Sequence, residues 1–448
     1  MSVKALTQAM PSSSPPEWPG GRWIGSLNTD LLNIDLLETD GSSDHSRVPL
    51  TGSVGYERAR LLIRDSTGVR GFIDVPIDSG SVHRDDIERE VCLLPPAEAH
   101  SSHPDLPPVT VIVCTRDRAA HLRVALRAIL DLDYPYFSVI VVDNASRTSE
   151  TRDLLRDEFA DPRVVLVDEP TPGLSRARNA GLMRATGDIV AYTDDDVVVD
   201  SAWLRELAAG FGRAPAVACV SGLVPSGELR TRVQKYFDDR VSWSKNLTPQ
   251  VYSLSSPPAG LPMFPFSIGE FGTGANFALR RSAALELGGF DEAFGVGTPT
   301  GGGEDIDMFT RVILDGRTLV MHPSAIVWHR HRDDLTALRI QARGYGTGLG
   351  AWLTKLLLNP RTAAMAAQRS AFAFRRLVSL AWRNSDPTTT AVGGHPDAFE
   401  KEIGRVGWLE LFSVARGPFI YALQRARGAG TLSLLAAQES VPVGSTPA

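Results

Sequence analysis

The run Asp188-Ile189-Val190-Ala191-Tyr192-Thr193 must be buried by any water-soluble fold, yet it ends in Asp194-Asp195-Asp196. Three adjacent carboxylates at the end of a buried strand repel one another and lose hydration, so positive charge has to offset them. A divalent cation would do this, whereas a solvated turn is the plainer reading of an acidic triplet taken alone. Val197-Val198-Val199 follows, with a helix expected near Ser201. The triplet therefore falls at the carboxyl end of a strand, the edge at which open α/β sheets bind ligands.

The surrounding chain repeats this pattern. Val109-Thr110-Val111-Ile112-Val113-Cys114 is the continuous apolar run of a parallel strand buried on both faces, and Leu122, Leu126, Ile129 and Leu130 then recur at helical spacing. Further strands are expected at 139–143, 164–167 and 217–220, with a helix from Leu174 to Arg184. Alternation of this kind implies a doubly wound, mostly parallel α/β sheet. Upstream, Ala59–Arg64 and Gly71–Val75, joined by Asp65-Ser66-Thr67-Gly68, read as a hairpin.

The 448 residues, 43% hydrophobic and 22% charged, suit a soluble protein of two or three domains, and the net charge of −6 excludes a globally basic nucleic-acid binder. Cys92, Cys114 and Cys219 form no CxxC pair, which favours a reducing cytoplasm over a disulfide framework or a zinc-cysteine site. No signal peptide and no spanning helix is expected. From Leu335 to Arg427 thirteen Lys and Arg face five Asp and Glu, a local +8 that leaves −14 for the remainder. An anionic membrane surface would complement this helical region; packing on the sheet domain or in a homo-oligomer is the alternative.

Polar residues end the strands. Thr115, Arg116 and Asp117 follow the first, and Asp143 and Asn144 end the second, where they can read a ligand or cap a helix. Arg176 and Asn179, three apart, share a helix face. Glu304-Asp305 follows Gly301-Gly302-Gly303 and opens a helix, placing carboxylates on a flexible loop; a helix dipole would also favour them there. His329 and His331 lie on one face of a further strand.

The ordered motifs VIVCTRDR, VVDNAS, GLSRARNAG, AYTDDDVV, GTGANFALRR, GGFDE and GGGEDIDM, spread over Val109 to His331, resemble the family 2 glycosyltransferases of the GT-A fold. The resemblance implies inverting transfer of a sugar from a nucleotide-diphosphate donor, of UDP or dTDP type, to a glycan or lipid-linked acceptor, with Mg²⁺ or Mn²⁺. It assigns donor contacts to Thr115, Arg116, Asp117, Asp143, Asn144, Arg176, Asn179, Asp194 and Asp195, with Asp195 the most replaceable of the triplet. It assigns metal ligation to Asp196 and His329 with His331 as substitute, the base to Asp305 supported by Glu304, and the acceptor side to Gly274, Asn276 and Asp291. The Q-x-x-R-W motif of processive synthases is absent, Gln341-Ala342-Arg343-Gly344-Tyr345 being only faintly similar, so a single-addition enzyme of the cell envelope is expected. A sugar-1-phosphate nucleotidyltransferase would need a glycine-rich loop after the first strand, which Thr115-Arg116-Asp117-Arg118 is not. A non-catalytic scaffold would not need both carboxylate clusters.

The expected organisation is a disordered leader over 1–17, a small β-rich module over 18–94, a linker over 95–108, the GT-A catalytic domain over 109–334, a basic helical region over 335–430 and a tail over 431–448.

Overall fold

The structure is a computed structural model, which describes residues 5–12, 14–30, 46–98, 106–241, 244–370 and 398–430. The tail, half of the linker and residues 371–397 of the expected helical region lie outside them. In chain order the first elements are β1 (Trp23–Asn28), β2 (Arg47–Pro49), β3 (Arg58–Asp65), β4 (Gly68–Pro76), β5 (Ser81–His83) and α1 (Arg84–Cys92). β3 and β4 pair antiparallel across the expected turn, and β1 adds to β3 in parallel. Strict alternation along β4 sends Val69, Gly71, Ile73 and Val75 inward. Trp23, Leu61, Ile73 and Ile87 form a core of their own, while Ile24, Leu62 and Val69 join the core of the larger sheet.

The leader departs from the expected disorder. Leu6 N–H donates to the Pro49 carbonyl and Ala9 N–H to that of Ile24, both at 2.9 Å, and Met10 is buried. A Ser- and Pro-rich composition lacks periodicity, but backbone donors need only an unpaired carbonyl nearby.

The large sheet is built from β6 (Val109–Thr115), β7 (Phe137–Asn144), β8 (Val164–Glu169), β9 (Ile189–Thr193), β10 (Val197–Val199), β11 (Val217–Leu223), β12 (Gln250–Tyr252), β13 (Asn276–Arg280) and β14 (Thr318–His329). Their order is β10-β14-β11-β13-β9-β6-β7-β8, with β12 also on β14. β6, β7, β8, β9, β11 and β14 run one way; β10, β12 and β13 run against them. The helices among these strands are α2 (Ala119–Leu130), α3 (Glu150–Glu158), α4 (Leu174–Arg184), α5 (Trp203–Gly210), α6 (Arg232–Arg240), α7 (Arg281–Glu286) and α8 (Glu304–Leu314). One face packs Leu122, Leu126, Trp203 and Leu207 on Val111, Val113 and Val141; the other packs Leu182, Phe290, Phe309 and Ile313 on Ile112, Tyr192 and Phe277.

Among the described residues α9 (Leu335–Leu358), α10 (Ala398–Val414) and α11 (Gly417–Ala426) follow, and 360–370 are helical as well. Asp334 caps α9 through the Thr336 and Ala337 N–H groups. Glycines let α9 touch two partners closely. A Cβ on Gly344 would lie 2.6 Å from the Gly301 oxygen, and one on Gly350 would lie 2.0 Å from the Val414 oxygen. The helical region is thus packed between the Gly301–Gly303 loop and α10.

Candidate active site

β6 and β9 are neighbours, so their carboxyl ends bring Thr115 beside the acidic triplet. Thr115 Oγ1 donates to Asp195 Oδ2 at 2.7 Å, and Arg118 donates to Asp195 Oδ1 at 2.7 Å and to Asp196 Oδ2 at 2.8 Å. β10 pairs Val197 with His329 at the end of β14, which puts His329 Nε2 3.2 Å from Asp196 Oδ1 and 4.0 Å from Asp194 Oδ2. Asp194, Asp196 and His329 each offer a donor atom within 4.8 Å of the others, a set that could hold a metal ion. Two carboxylates and an imidazole suit Mn²⁺ well and Mg²⁺ acceptably.

The three carboxylates differ electrically. Burial pushes Asp195 up to about 7 despite Arg118, and burial also raises Asp194. Asp196 suffers the same burial, but His329 and Arg118 outweigh it and hold Asp196 well below the usual range. His329 is raised in return, because Asp196 overcomes its desolvation. Asp196 faces Arg118, His329 and, at 3.6 Å, Arg332, whereas Asp195 is held by Thr115 and Arg118 alone among the described residues. Its side chain points back to β6, where Thr115 and Arg118 use both oxygens. His331 lies behind His329, Nδ1 to Nδ1 at 3.2 Å, against the Phe237 ring.

Across a cavity of about 1090 Å³ stand Glu304 and Asp305, at the start of α8. Gly303 takes φ 93°, a left-handed conformation that favours glycine, and starts the helix there. Asp305 Oδ2 accepts from the Gly274 N–H and Oδ1 from the Ile306 N–H, both at 2.8 Å. Burial and the neighbouring Asp305 push Glu304 up to about 7 even though Arg178 lies 3.2 Å away. Arg178 joins the two carboxylate groups: its guanidinium also donates to the Gly274 carbonyl at 2.9 Å and lies 3.7 Å from Asp194. One buried cation cannot neutralise Asp194, Glu304 and the nearby Asp305 together, and a proton on Glu304 relieves the excess.

Several of the expected residues do not enter this cavity. Among the described residues its wall includes Thr115, Arg116, Asn144, Asp194, Asp195, Asp196, Gly274, Glu304, Asp305 and His329, but not Asp117, Asp143, Arg176, Asn179, Asn276 or Asp291. Asp117 accepts from the Arg147 backbone and side chain on the loop after β7, and Asn144 ties the 169–173 loop through the Glu169, Thr171 and Gly173 backbone. Asp143 is buried at the strand end beside Asn144, with Oδ1 lacking a partner. Arg176 points away to Glu292 at 2.9 Å, and Asn179 exchanges two bonds with the Phe290 backbone. Asn276 bonds the Leu223 and Ala325 carbonyls and Trp203 Nε1, which corrects its acceptor-side assignment: every polar atom is used inside the core. Asp291, fully buried, holds Lys355 at 2.7 Å and Arg425 at 2.6 Å, fastening α9 and α11 rather than facing the acceptor.

Residue pattern alone missed Arg178. The buried face of α4 is Ser175, Arg178, Asn179 and Leu182, and Leu182 was the available guide to its phase. The contribution of the C-terminal helices was missed as well. Gln341, Arg343, Tyr345, Arg416 and Ile420 line the far wall.

Residues 110–288 match Glycosyl transferase family 2. The match identifies this segment as a family 2 domain. It is 29% identical over 391 residues to a pre-mycofactocin glycosyltransferase of Mycobacterium tuberculosis, covering 84% of this chain and 77% of the other. It is 30% identical over 231 residues to the succinoglycan biosynthesis protein ExoM of Rhizobium meliloti, covering 49% and 65%. A solved mannosyltransferase of Pyrobaculum calidifontis, in complex with GDP-Man and Mn²⁺, aligns at a TM-score of 0.42 and 21% identity, over 77% of this chain and 83% of that one. The family 2 domain has the expected GT-A fold, with the mostly parallel sheet and the C-terminal helices in place. The cluster that could hold a metal ion lies at the carboxyl end of β9, where the apolar run stops.

Proposed function

We propose that this family 2 glycosyltransferase is inverting and metal-dependent, and moves a sugar from a nucleoside diphosphate of UDP or dTDP type to a hydroxyl of a glycan or lipid-linked acceptor. The observation that carries the proposal is the meeting of two carboxylate groups in one cavity, Asp194 and Asp196 with His329 on one side and Asp305 with Glu304 on the other. Asp196 and His329 would hold Mg²⁺ or Mn²⁺, whose charge there would stabilise the departing diphosphate. Arg116 and Arg118 border the same end and add positive charge for the phosphates.

Asp305 is held by two backbone N–H groups, which fix its carboxylate toward the cavity. The acceptor oxygen forms a bond to the anomeric carbon, its proton passes to Asp305, and the bond to the diphosphate breaks with its electron pair leaving on the phosphate. Attack opposite the leaving group inverts the centre. Glu304, protonated near neutrality, supports an acceptor hydroxyl by donating to it. The similarity to a succinoglycan biosynthesis protein supports a cell-envelope or polysaccharide product, and three free cysteines support a cytoplasmic setting.

The test is a panel of nucleotide sugars scored by thermal stabilisation with and without Mn²⁺. One donor is expected to stabilise the wild type and Asp305→Asn only with the ion, while Asp196→Ala loses that response and still folds. Asp305→Asn is expected to lower transfer by about 10²–10⁴-fold. Unchanged donor affinity in Asp196→Ala, or wild-type turnover in Asp305→Asn, would sink the assignment concerned.

A further inference from the structure

α10 has one buried side. Val406 and Ser413 are buried toward the body of the protein, and Phe399 and Ile403 pack with Leu338 and Ala342 of α9. With 3.6 residues per turn, Lys401, Arg405, Trp408, Leu411 and Phe412 fall within a single arc of about 120° on the other side. This arc is open: Trp408 is 62% exposed, Leu411 59% and Phe412 68%, and the Trp408 and Phe412 rings stack at 5.8 Å. Phe419, at the start of α11, is 73% exposed as well.

The arc carries two cations and no carboxylate. Glu410 turns out of it into an ion pair with Arg240, and Glu402, at its border, pairs with both Arg339 and Arg405, which leaves Lys401 as the arc's cation without a carboxylate bond among the described residues. A helix face of this composition, aromatic and aliphatic at one end and basic at the other, matches the boundary between lipid headgroups and acyl chains. Among the described residues no helix is long and apolar enough to cross a membrane, so contact through α10 would be lateral. The charge balance favours the same orientation, because positive charge is concentrated between Leu335 and Arg427 while the chain as a whole carries −6.

We propose that the outer face of α10, with Phe419, docks on an anionic lipid surface. Trp408, Leu411, Phe412 and Phe419 enter the headgroup boundary, and Lys401 and Arg405 meet the lipid phosphates. Arg416 and Ile420, which line the cavity, lie four residues after Phe412 and next to Phe419 in the sequence. A lipid-borne acceptor would then reach Asp305 while its apolar part stays in the surface. Docking itself does not depend on the transferase reading.

The experiment is sedimentation of the full chain with vesicles of phosphatidylcholine plus phosphatidylglycerol, and with vesicles of phosphatidylcholine alone. The wild type is expected to sediment with the first and at least roughly tenfold less with the second. Trp408→Ser with Phe412→Ser, and separately Lys401→Glu with Arg405→Glu, are each expected to lower the first partition by roughly tenfold or more, with unchanged melting and nucleotide-sugar stabilisation. The proposal is overturned if the wild type stays in the supernatant, if both double variants sediment like it, or if light scattering shows a wild-type dimer that the apolar variant dissolves while neither binds vesicles. Nucleotide-sugar stabilisation is read separately, so failure here leaves the transferase reading standing.

Discussion

Arg178 and Arg176 sit two positions apart on α4 and have different surroundings. Arg178 is almost fully buried between Phe277 and Phe290, its ring contacts both at 5.5 Å, and it faces Glu304 and Asp194. Arg176 is a third exposed and pairs with Glu292 near the surface. Removing one partner of a buried ion pair costs about 3–5 kcal/mol, whereas an exposed pair is worth ~0–1 kcal/mol. Arg178→Gln is therefore expected to destabilise the fold severely and Arg176→Gln barely, as measured by denaturant unfolding; equal effects would contradict the helix phase seen here. The motif GLSRARNAG was legible as a feature of the site, but which arginine it turned inward was not. Two cations two residues apart look alike in a sequence, and packing decides which one is buried.

At the scale of elements, α9 sets the position of the base. Gly344 and Gly348 are one turn apart and rest against the Gly301–Gly303 loop, the segment that starts α8 and presents Glu304 and Asp305. A Cβ on Gly348 would stand 2.7 Å from the Gly302 backbone, closer than real contacts allow. Gly348→Ala should cost about 1–3 kcal/mol by overpacking and shift the loop. The expected kinetic result is a fall in kcat with donor affinity nearly unchanged, because the donor end is formed by β6, β9 and β14 on the other side of the cavity. Turnover equal to wild type in a folded Gly348→Ala protein would show that α9 does not set the loop. The strands themselves were readable from the sequence, since continuous Val and Ile runs have few other uses. β13 was not read as antiparallel, because period and composition say nothing about strand direction.

For the whole molecule, the cavity is a charge balance spread over distant segments, and it should be visible in stability against pH. Glu304 sits at about 7 in the folded chain against an ordinary value of 4.5, so between those values the folded state keeps a proton that the unfolded state has lost. Its contribution is fully present below about 4.5 and is lost as pH rises through about 7. Glu304→Gln has no such proton, so its melting temperature relative to wild type is expected to improve steadily across that window; a constant difference would remove Glu304 as the group responsible. Asp291, held by Lys355 and Arg425, ties the C-terminal helices to the catalytic domain, which no local motif announced. By itself the sequence determined the alternating α/β order, the acidic end of β9 and the carboxylates opening α8, because apolar period and unbalanced charge are local properties. Only the tertiary structure decided that Arg178 joins those carboxylates, that Asn276 and Asp291 work inside the core, and that α9 and α11 close the cavity. Those outcomes depend on which surfaces bury one another, and that choice is made between segments distant in sequence, 49 residues apart for Asn276 and Ala325 and 126 for Arg178 and Glu304.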